Sequence, residues 1–347
     1  MKVKLITIND LNNYGNRLQN YATQQFLISN SIDVENIVDE TYYPLVEKKT
    51  FRSFLVDIVR KKRRTKQKFK KNFLKFNQYI WYSGTKVKTS EELRKNGVED
   101  KIIIVGSDQV WNPKFAMSDV TLLDGVKCKK KISFSASFGV DSIPYDQTIA
   151  DCLNDFKALS VREEAGAKII KDLTGRDATV LVDPTMLLTN DEWRKVSKKP
   201  RGAKEGYVLT YFLSPKCDEA KTKLEEIKED KEVYELLNPN DKIAGTAGPS
   251  EFLWLFEHAD LILTDSFHAC VFSFLFNKPF IVYDRNWNEG NMNSRLETLL
   301  SKFSLERKYA NSGLPNDLWE HDYTEGYKQL EIERKKAIDF LKKALED

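Results

Sequence analysis

Cysteine is scarce and scattered in this chain: Cys128, Cys152, Cys217 and Cys270 form no Cys-x-x-Cys pair among 347 residues. That spacing excludes a disulfide framework and a thiolate zinc site, and it fits free thiols in a reducing compartment. Histidine is scarcer still, and His258, His268 and His321 stand in no sequence cluster with Asp or Glu that would ligate a metal. The formal net charge is only +3, so no whole-molecule field draws nucleic acid. No uninterrupted apolar run reaches the roughly 18 residues that a spanning helix needs. The opening stretch Met1–Ile8 is too brief for the apolar region of a signal peptide. A Gly-x-Gly-x-x-Gly dinucleotide fingerprint is missing too. These absences set the expectation of a cytoplasmic protein that works without a metal or dinucleotide cofactor.

What is present is material for a core. With 41% apolar and 12% aromatic residues the chain is no disordered tail, and its length favours two domains or one large one. Strand-like and helix-like apolar runs alternate. Strands are expected at 2–8, 101–105, 131–135, 158–161 and 179–182, then at 207–213, 232–236, 261–263 and 280–282. Helices are expected between them, at 17–28, 147–156, 163–173 and 216–229, with another ending at His258 and capped by Ser250. Such β-α-β alternation implies mostly parallel sheets covered on both faces. A connector from Asn190 to Gly202 separates an N-terminal α/β domain, residues 1–188, from a second at 200–325. Residues 326–347 repeat apolar side chains at Tyr327, Leu330, Ala337, Ile338, Leu341 and Leu345, the spacing of an amphipathic helix expected to return to the domain junction.

The stretch from Leu261 to Tyr283 organises the second half. It reads as a short strand, a polar turn Thr264-Asp265-Ser266, an almost wholly apolar helix, and a strand begun after Pro279. A helix that apolar must be buried, which leaves only its first turn to meet solvent or a ligand. His268 stands in that turn, at the positive end of the helix dipole, where an anion is stabilised and an imidazole can move a proton near neutral pH. A histidine packed behind the turn for structural reasons is the competing reading. Near the N-terminus, Asn16 and Gln19 put amides at the start of the first helix, suited either to capping or to sugar hydroxyls. Ser107, Asp108 and Asn112 follow the strand at 101–105, where ligand contacts gather in open α/β sheets; Asp108 could equally cap its own turn. Arg162 follows another strand end and can hold a carboxylate or phosphate by two parallel hydrogen bonds, or form an exposed ion pair with Glu163 or Glu164. Arg295 opens a later helix.

One segment stands apart. Residues 51–82 read as a long helix carrying Arg60–Lys71, a basic run that is either a solvated helix face or an attachment to anionic lipid.

Several motifs occur in order along the chain: Asn13-Tyr-Gly-Asn-Arg-Leu-Gln-Asn-Tyr-Ala22, Ile104-Val-Gly-Ser-Asp-Gln-Val-Trp-Asn-Pro113 and Ser133-Phe-Ser-Ala-Ser-Phe-Gly139 come first. Ser160-Val-Arg-Glu163, Asp183-Pro-Thr185, Thr264-Asp-Ser-Phe-His-Ala269, Asn277-Lys-Pro-Phe-Ile281 and Asn293-Ser-Arg-Leu296 follow. Together they resemble the polysaccharide pyruvyl transferase family over nearly the whole chain apart from the basic run. The family usually has Gly after the histidine where this chain has Ala269, one methyl group more at a crowded turn. The resemblance implies two Rossmann-like α/β domains facing across a cleft, in the manner of glycosyltransferase-B-like folds. It implies ketal-pyruvyl transfer from phosphoenolpyruvate to a glycan or lipid-linked saccharide acceptor, with no cofactor and no metal. In that picture His268 transfers a proton or contacts phosphate. Arg162 and Arg295 clamp the donor, with Ser266 and Asp265 at the helix start, while Asn16, Gln19, Ser107, Asp108 and Asn112 meet the acceptor. Two alternatives stand beside it: a sugar-nucleotide-dependent glycosyltransferase on the same fold, and a non-catalytic glycan-assembly protein. A lipid-linked acceptor also favours peripheral contact between Arg60–Lys71 and an anionic membrane.

Overall fold

The computed structural model describes residues 1–41, 61–114, 117–228, 230–285, 294–310, 319 and 321–346. The chain divides into two compact units. The first comprises Met1–Leu45, Gln78–Leu188 and Gln329–Asp347; the second comprises Val46–Asn77 and Thr189–Lys328.

In the first unit β1 (Lys2–Thr7), β2 (Asp33–Asp39), β3 (Tyr82–Val87), β4 (Ile102–Val105) and β5 (Lys130–Ser133) form one sheet in the order β3-β2-β1-β4-β5. Every pairing in it is parallel. β4, Ile-Ile-Ile-Val, is buried throughout, as a parallel strand covered on both faces must be. A short parallel pair, β6 (Ser160–Val161) and β7 (Thr179–Val180), extends the sheet through bridges from Ile132 to Ala158 and from Ala136 to Val161. Trp111, Phe138 and Phe156 fill the core beside β4 and β5, and the Trp111 indole N–H donates to the Thr121 carbonyl at 3.0 Å.

Two strands depart from the sequence reading. β2 carries charges at alternate positions, which lowers its apolar signal; Glu35 is neutralised by Lys2 and Lys4 of the neighbouring β1, both at 2.5 Å. The expected helix over 51–82 ends early. Its described part is a helix at Lys61–Lys75 and a 3₁₀ turn at Phe76–Tyr79, after which Tyr82 opens β3; residues 51–60, Arg60 included, lie outside the described residues.

In the second unit β8 (Tyr207–Tyr211), β9 (Val233–Glu235), β10 (Ala259–Thr264) and β11 (Phe280–Val282) pair in parallel in the order β11-β10-β8-β9. The helix Phe267–Leu275 joins β10 to β11 with all nine residues buried, Phe272 meeting Phe252 and Trp193 edge to face. Ser250 does not cap the helix before β10. That helix runs from Pro249 to Glu257 with Gly248 as its cap; proline fits the first helical position, and the Glu251 carboxylate accepts from the Gly248 N–H. The expected connector after Asn190 is also partly helical, at Asn190–Arg194, because Thr189 and Glu192 complete a capping box.

The terminal helix spans Thr324–Leu345, and from Gln329 onward it belongs to the first unit. There Arg334 donates to the carbonyls of Met186 and Leu188, and the Lys130 ammonium grips those of Leu345 and Glu346. No helix among the described residues is long and apolar enough to cross a membrane.

Candidate functional site

The candidate residues fall into two clusters, one in each unit, both at the C-terminal ends of parallel strands. In the first unit Asn13 caps the helix Tyr14–Ser29 by accepting from the Asn16 N–H, so the helix starts a turn earlier than its apolar pattern indicates. Asn16 is thereby brought to Asp108, and its amide donates to Asp108 Oδ2. Gln19 donates to Thr7 Oγ1 at 2.8 Å, and Thr7 in turn donates to the Ser107 carbonyl at 3.0 Å; the Gln19 side-chain oxygen is buried with no hydrogen-bond partner. Asn112 turns its side-chain oxygen to the Lys114 N–H at 2.9 Å.

Arg162 is not the exposed ion pair considered from the sequence. It is 4% exposed and donates to Asp108 Oδ1 at 3.1 Å and to Asp183 Oδ2, with Glu163 Oε2 4.0 Å from its Nε. Burial acts to lower its pKa, but Asp108, Asp183 and Glu163 together hold it above the usual arginine value. Asp183 also accepts from Ser107 Oγ at 3.3 Å and from Thr185 N–H and Oγ1 at 2.9 and 2.7 Å. One guanidinium thus serves three carboxylates, which leaves the cluster acidic and rich in acceptors. Asp108 both caps its own turn, accepting from the Gln109 N–H at 3.0 Å, and joins this network. Its backbone is left-handed, φ +65°, a strained geometry outside glycine and one that gathers at functional sites.

In the second unit the turn after β10 is tied down by its own polar side chains. Thr264 Oγ1 donates to the Tyr211 carbonyl at 2.6 Å and accepts from the Ser266 N–H at 3.0 Å. The Asp265 carboxylate reaches sideways to the end of β8, accepting from Leu213 N–H at 2.7 Å, Ser214 N–H at 2.8 Å and Ser214 Oγ at 2.6 Å. Asp265 therefore braces two strand ends. Ser266 holds the cap position of Phe267–Leu275 but makes no side-chain cap bond. His268, in the first turn, is 7% exposed and lies edge-on to Phe267 at 5.3 Å. Arg285, just past β11, donates from Nε to the Asp265 carbonyl at 3.0 Å and sets a cation beside the same helix start. Arg295 is buried in the first turn of the helix Ser294–Lys302. Burial, reinforced by Asp265, pushes the Cys270 thiol well above the usual range and disfavours its thiolate. Among the described residues no group of three or more His, Cys, Asp or Glu is arranged to hold a metal ion.

The structure thus brings Asn16, Gln19, Ser107, Asp108 and Arg162 into one network in the first unit, with Asn112 on the same loop as Asp108. In the second unit it groups Asp265, Ser266 and His268. Asp183, Glu163 and Arg285 were missed. All three follow strands, so the strand-end rule that found Asp108 applies to them as well.

Two α/β units with wholly parallel sheets and polar residues at the strand ends define a glycosyltransferase-B-like fold of two Rossmann-like domains. UDP-GlcNAc 2-epimerase from Neisseria meningitidis bound to UDP-GlcNAc is similar to this chain at 11% identity and a TM-score of 0.50, covering 99% of this chain and 100% of that one. Two further similar structures have TM-scores of 0.48. The Methanocaldococcus jannaschii UDP-GlcNAc 2-epimerase in complex with UDP-GlcNAc and UDP is 14% identical, covering 96% and 99% of the two chains. A mutant S. aureus TarM in complex with UDP and two saccharide ligands is 9% identical, covering 100% of both. At such identities the likeness speaks for the fold alone. A search of curated proteins finds no match. The family model for polysaccharide pyruvyl transferase matches residues 13–286, well over half the chain, and the protein belongs to that family.

Proposed function

We propose that this protein transfers a pyruvyl group from phosphoenolpyruvate to a sugar of a surface polysaccharide or its lipid-linked precursor, forming a cyclic ketal. The observation that carries the reading is His268: within a chain of this family, the histidine stands in the first turn of a buried helix at a strand's C-terminal end.

The chemistry sets the demands. The donor bears a phosphate and a carboxylate; a proton added to its methylene carbon makes a methyl group and leaves the adjacent phosphate-bearing carbon cationic, where a sugar hydroxyl adds and gives up its proton. Phosphate leaves and a second hydroxyl closes the ketal. On this reading the donor belongs to the second unit, where the helix start with Ser266, and Arg285 and Arg295, supply positive potential for the two anionic groups. His268 delivers the proton or holds the phosphate. The acceptor belongs to the first unit, where the acidic network around Asp108 and the amides of Asn16, Gln19 and Asn112 offer donors and acceptors to sugar hydroxyls. Arg162, expected on the donor, becomes on this reading the internal counter-ion that orients the carboxylates of Asp108 and Asp183. No metal or cofactor enters the scheme.

The test is incubation of the purified protein with phosphoenolpyruvate and candidate glycans, with released phosphate and glycan mass as readouts. Phosphate release with a matching pyruvyl mass gain supports the proposal. A glycosyltransferase using a sugar nucleotide is the second reading, favoured by the fold likeness to an epimerase bound to UDP-GlcNAc. Calorimetric titration separates the two, since only one donor class should bind; binding of neither favours a non-catalytic assembly role. We further propose that the basic run through Lys71 meets an anionic membrane. In its described part Lys68 and Lys71 are exposed on the helix Lys61–Lys75 while Phe73 is buried, so charge and anchor face different ways.

A further inference from the structure

We propose that Glu163 is a positioning residue: it gathers the loop 137–139 and, through Ser137, holds Asp108 in the left-handed backbone that aims its carboxylate at Asn16 and Arg162. The functional half of this inference rests on the acceptor assignment above.

Glu163 is fully buried, and its two oxygens are used unequally. Oε1 accepts from Ser137 Oγ at 2.9 Å, Phe138 N–H at 3.0 Å and Gly139 N–H at 3.3 Å. Oε2 has no hydrogen-bond partner and lies 4.0 Å from Arg162 Nε. A carboxylate is a costly way to fill a core, and an apolar side chain of similar volume would often serve stability as well. What it does here is fix a loop. Ser137, held by its hydroxyl, donates its N–H to the Asp108 carbonyl at 2.9 Å and accepts from Trp111 N–H at 3.1 Å. Asp108 is thus fastened on its backbone side by Ser137 and on its side-chain side by Asn16 and Arg162. A non-glycine residue at φ +65° persists only where its surroundings over-determine it, and these bonds are those surroundings. Gly139 completes the arrangement: at φ +65° it lets the Gln109 amide lie across it, where a Cβ would sit 1.9 Å from Gln109 Nε2.

Hydrogen exchange tests the hold directly. In Glu163→Ala the amides of 137–139 and of Gln109 should exchange at least about tenfold faster, while unit 2 is unchanged. Glu163→Gln keeps an oxygen in place of Oε1 and should recover most of that protection. In the phosphoenolpyruvate assay Glu163→Ala should raise the acceptor KM about tenfold or more and leave the phosphoenolpyruvate KM within about twofold; a merely structural role would lower the active fraction, and so kcat, without splitting the two. Ser137→Ala, which removes only the hydroxyl link, should show a smaller version of the same split and replaces Glu163→Ala should that variant not fold. Unchanged exchange in Glu163→Ala, or a glutamine variant as unprotected as the alanine one, overturns the hydrogen-bonding role. Donor and acceptor KM rising together overturns the link to the acceptor. Wild-type protein that releases no phosphate refutes the proposed reaction instead, and the exchange arm still decides whether Glu163 holds Asp108.

Discussion

Replacing Arg162 by methionine should unfold the first unit more than it weakens any ligand. Had Arg162 faced the donor, its loss would cost binding of roughly 1.5–3 kcal/mol per charged hydrogen bond and leave the fold alone. The structure gives the guanidinium internal partners as well. The guanidinium is 4% exposed and lies 3.1 Å from Asp108, with bonds to Asp183 and charge facing Glu163. At an effective dielectric of ~20 a pair at that separation attracts by about 5 kcal/mol, part of which offsets desolvation. Methionine preserves much of the volume but strands three carboxylates without their cation, and breaking a buried pair in this way costs about 3–5 kcal/mol. Urea denaturation followed by circular dichroism should show that loss, and hydrogen exchange should assign it to the first unit. Combining Arg162→Met with Asp183→Leu should cost less than the two single losses added, because Arg162→Met alone leaves the Asp183 carboxylate without this cation and the double variant removes that carboxylate too. A folded Arg162→Met protein within about 1 kcal/mol of wild type, with phosphoenolpyruvate affinity reduced instead, would refute the internal counter-ion role.

Three further outcomes are expected. His268→Ala should keep the wild-type circular dichroism while phosphate release falls at least about 100-fold, the usual scale for removing a positioned acid or base; near-normal release would take His268 out of the chemistry. Asp39 has its pKa raised above the usual 3.8 by burial first, with Asp119 adding to it, so the native state holds the proton more tightly than the unfolded chain. Its contribution to stability is therefore present at low pH and lost as pH rises through the raised pKa; Asp39→Asn should remove that decline, and melting curves that keep the same slope above pH 4 in the variant would contradict the assignment. Reversing the charges of Lys68, Lys70 and Lys71 together with the basic residues before them should release the protein from acidic liposomes. Raised salt should do the same, because surface attraction decays within about 8–10 Å at physiological ionic strength; wild type that fails to sediment with acidic liposomes ends the membrane proposal.

The sequence by itself determined the α/β rhythm, because wholly buried runs such as Ile102–Val105 and Leu261–Leu263 announce parallel strands locally. It also placed His268 in a helix's first turn, since the cap chemistry of Thr264–Ser266 and the apolar run behind it are adjacent in the chain. β2 was not legible, because the pairing that makes Glu35 tolerable comes from Lys2 and Lys4, more than thirty residues away. The roles of single polar residues were decided only by tertiary structure. That the Asp265 carboxylate braces Leu213 and Ser214 was not legible in its local sequence, and Ser250 looked like a cap until Gly248 and Pro249 took that place. Arg162 shows the reason most plainly. Its local sequence offers Glu163 and Glu164 as partners, yet its hydrogen bonds go to Asp108 and Asp183, which only the parallel sheet carries to the same strand ends. Local spacing can say that an arginine ends a strand; which carboxylates surround it is a property of the sheet order.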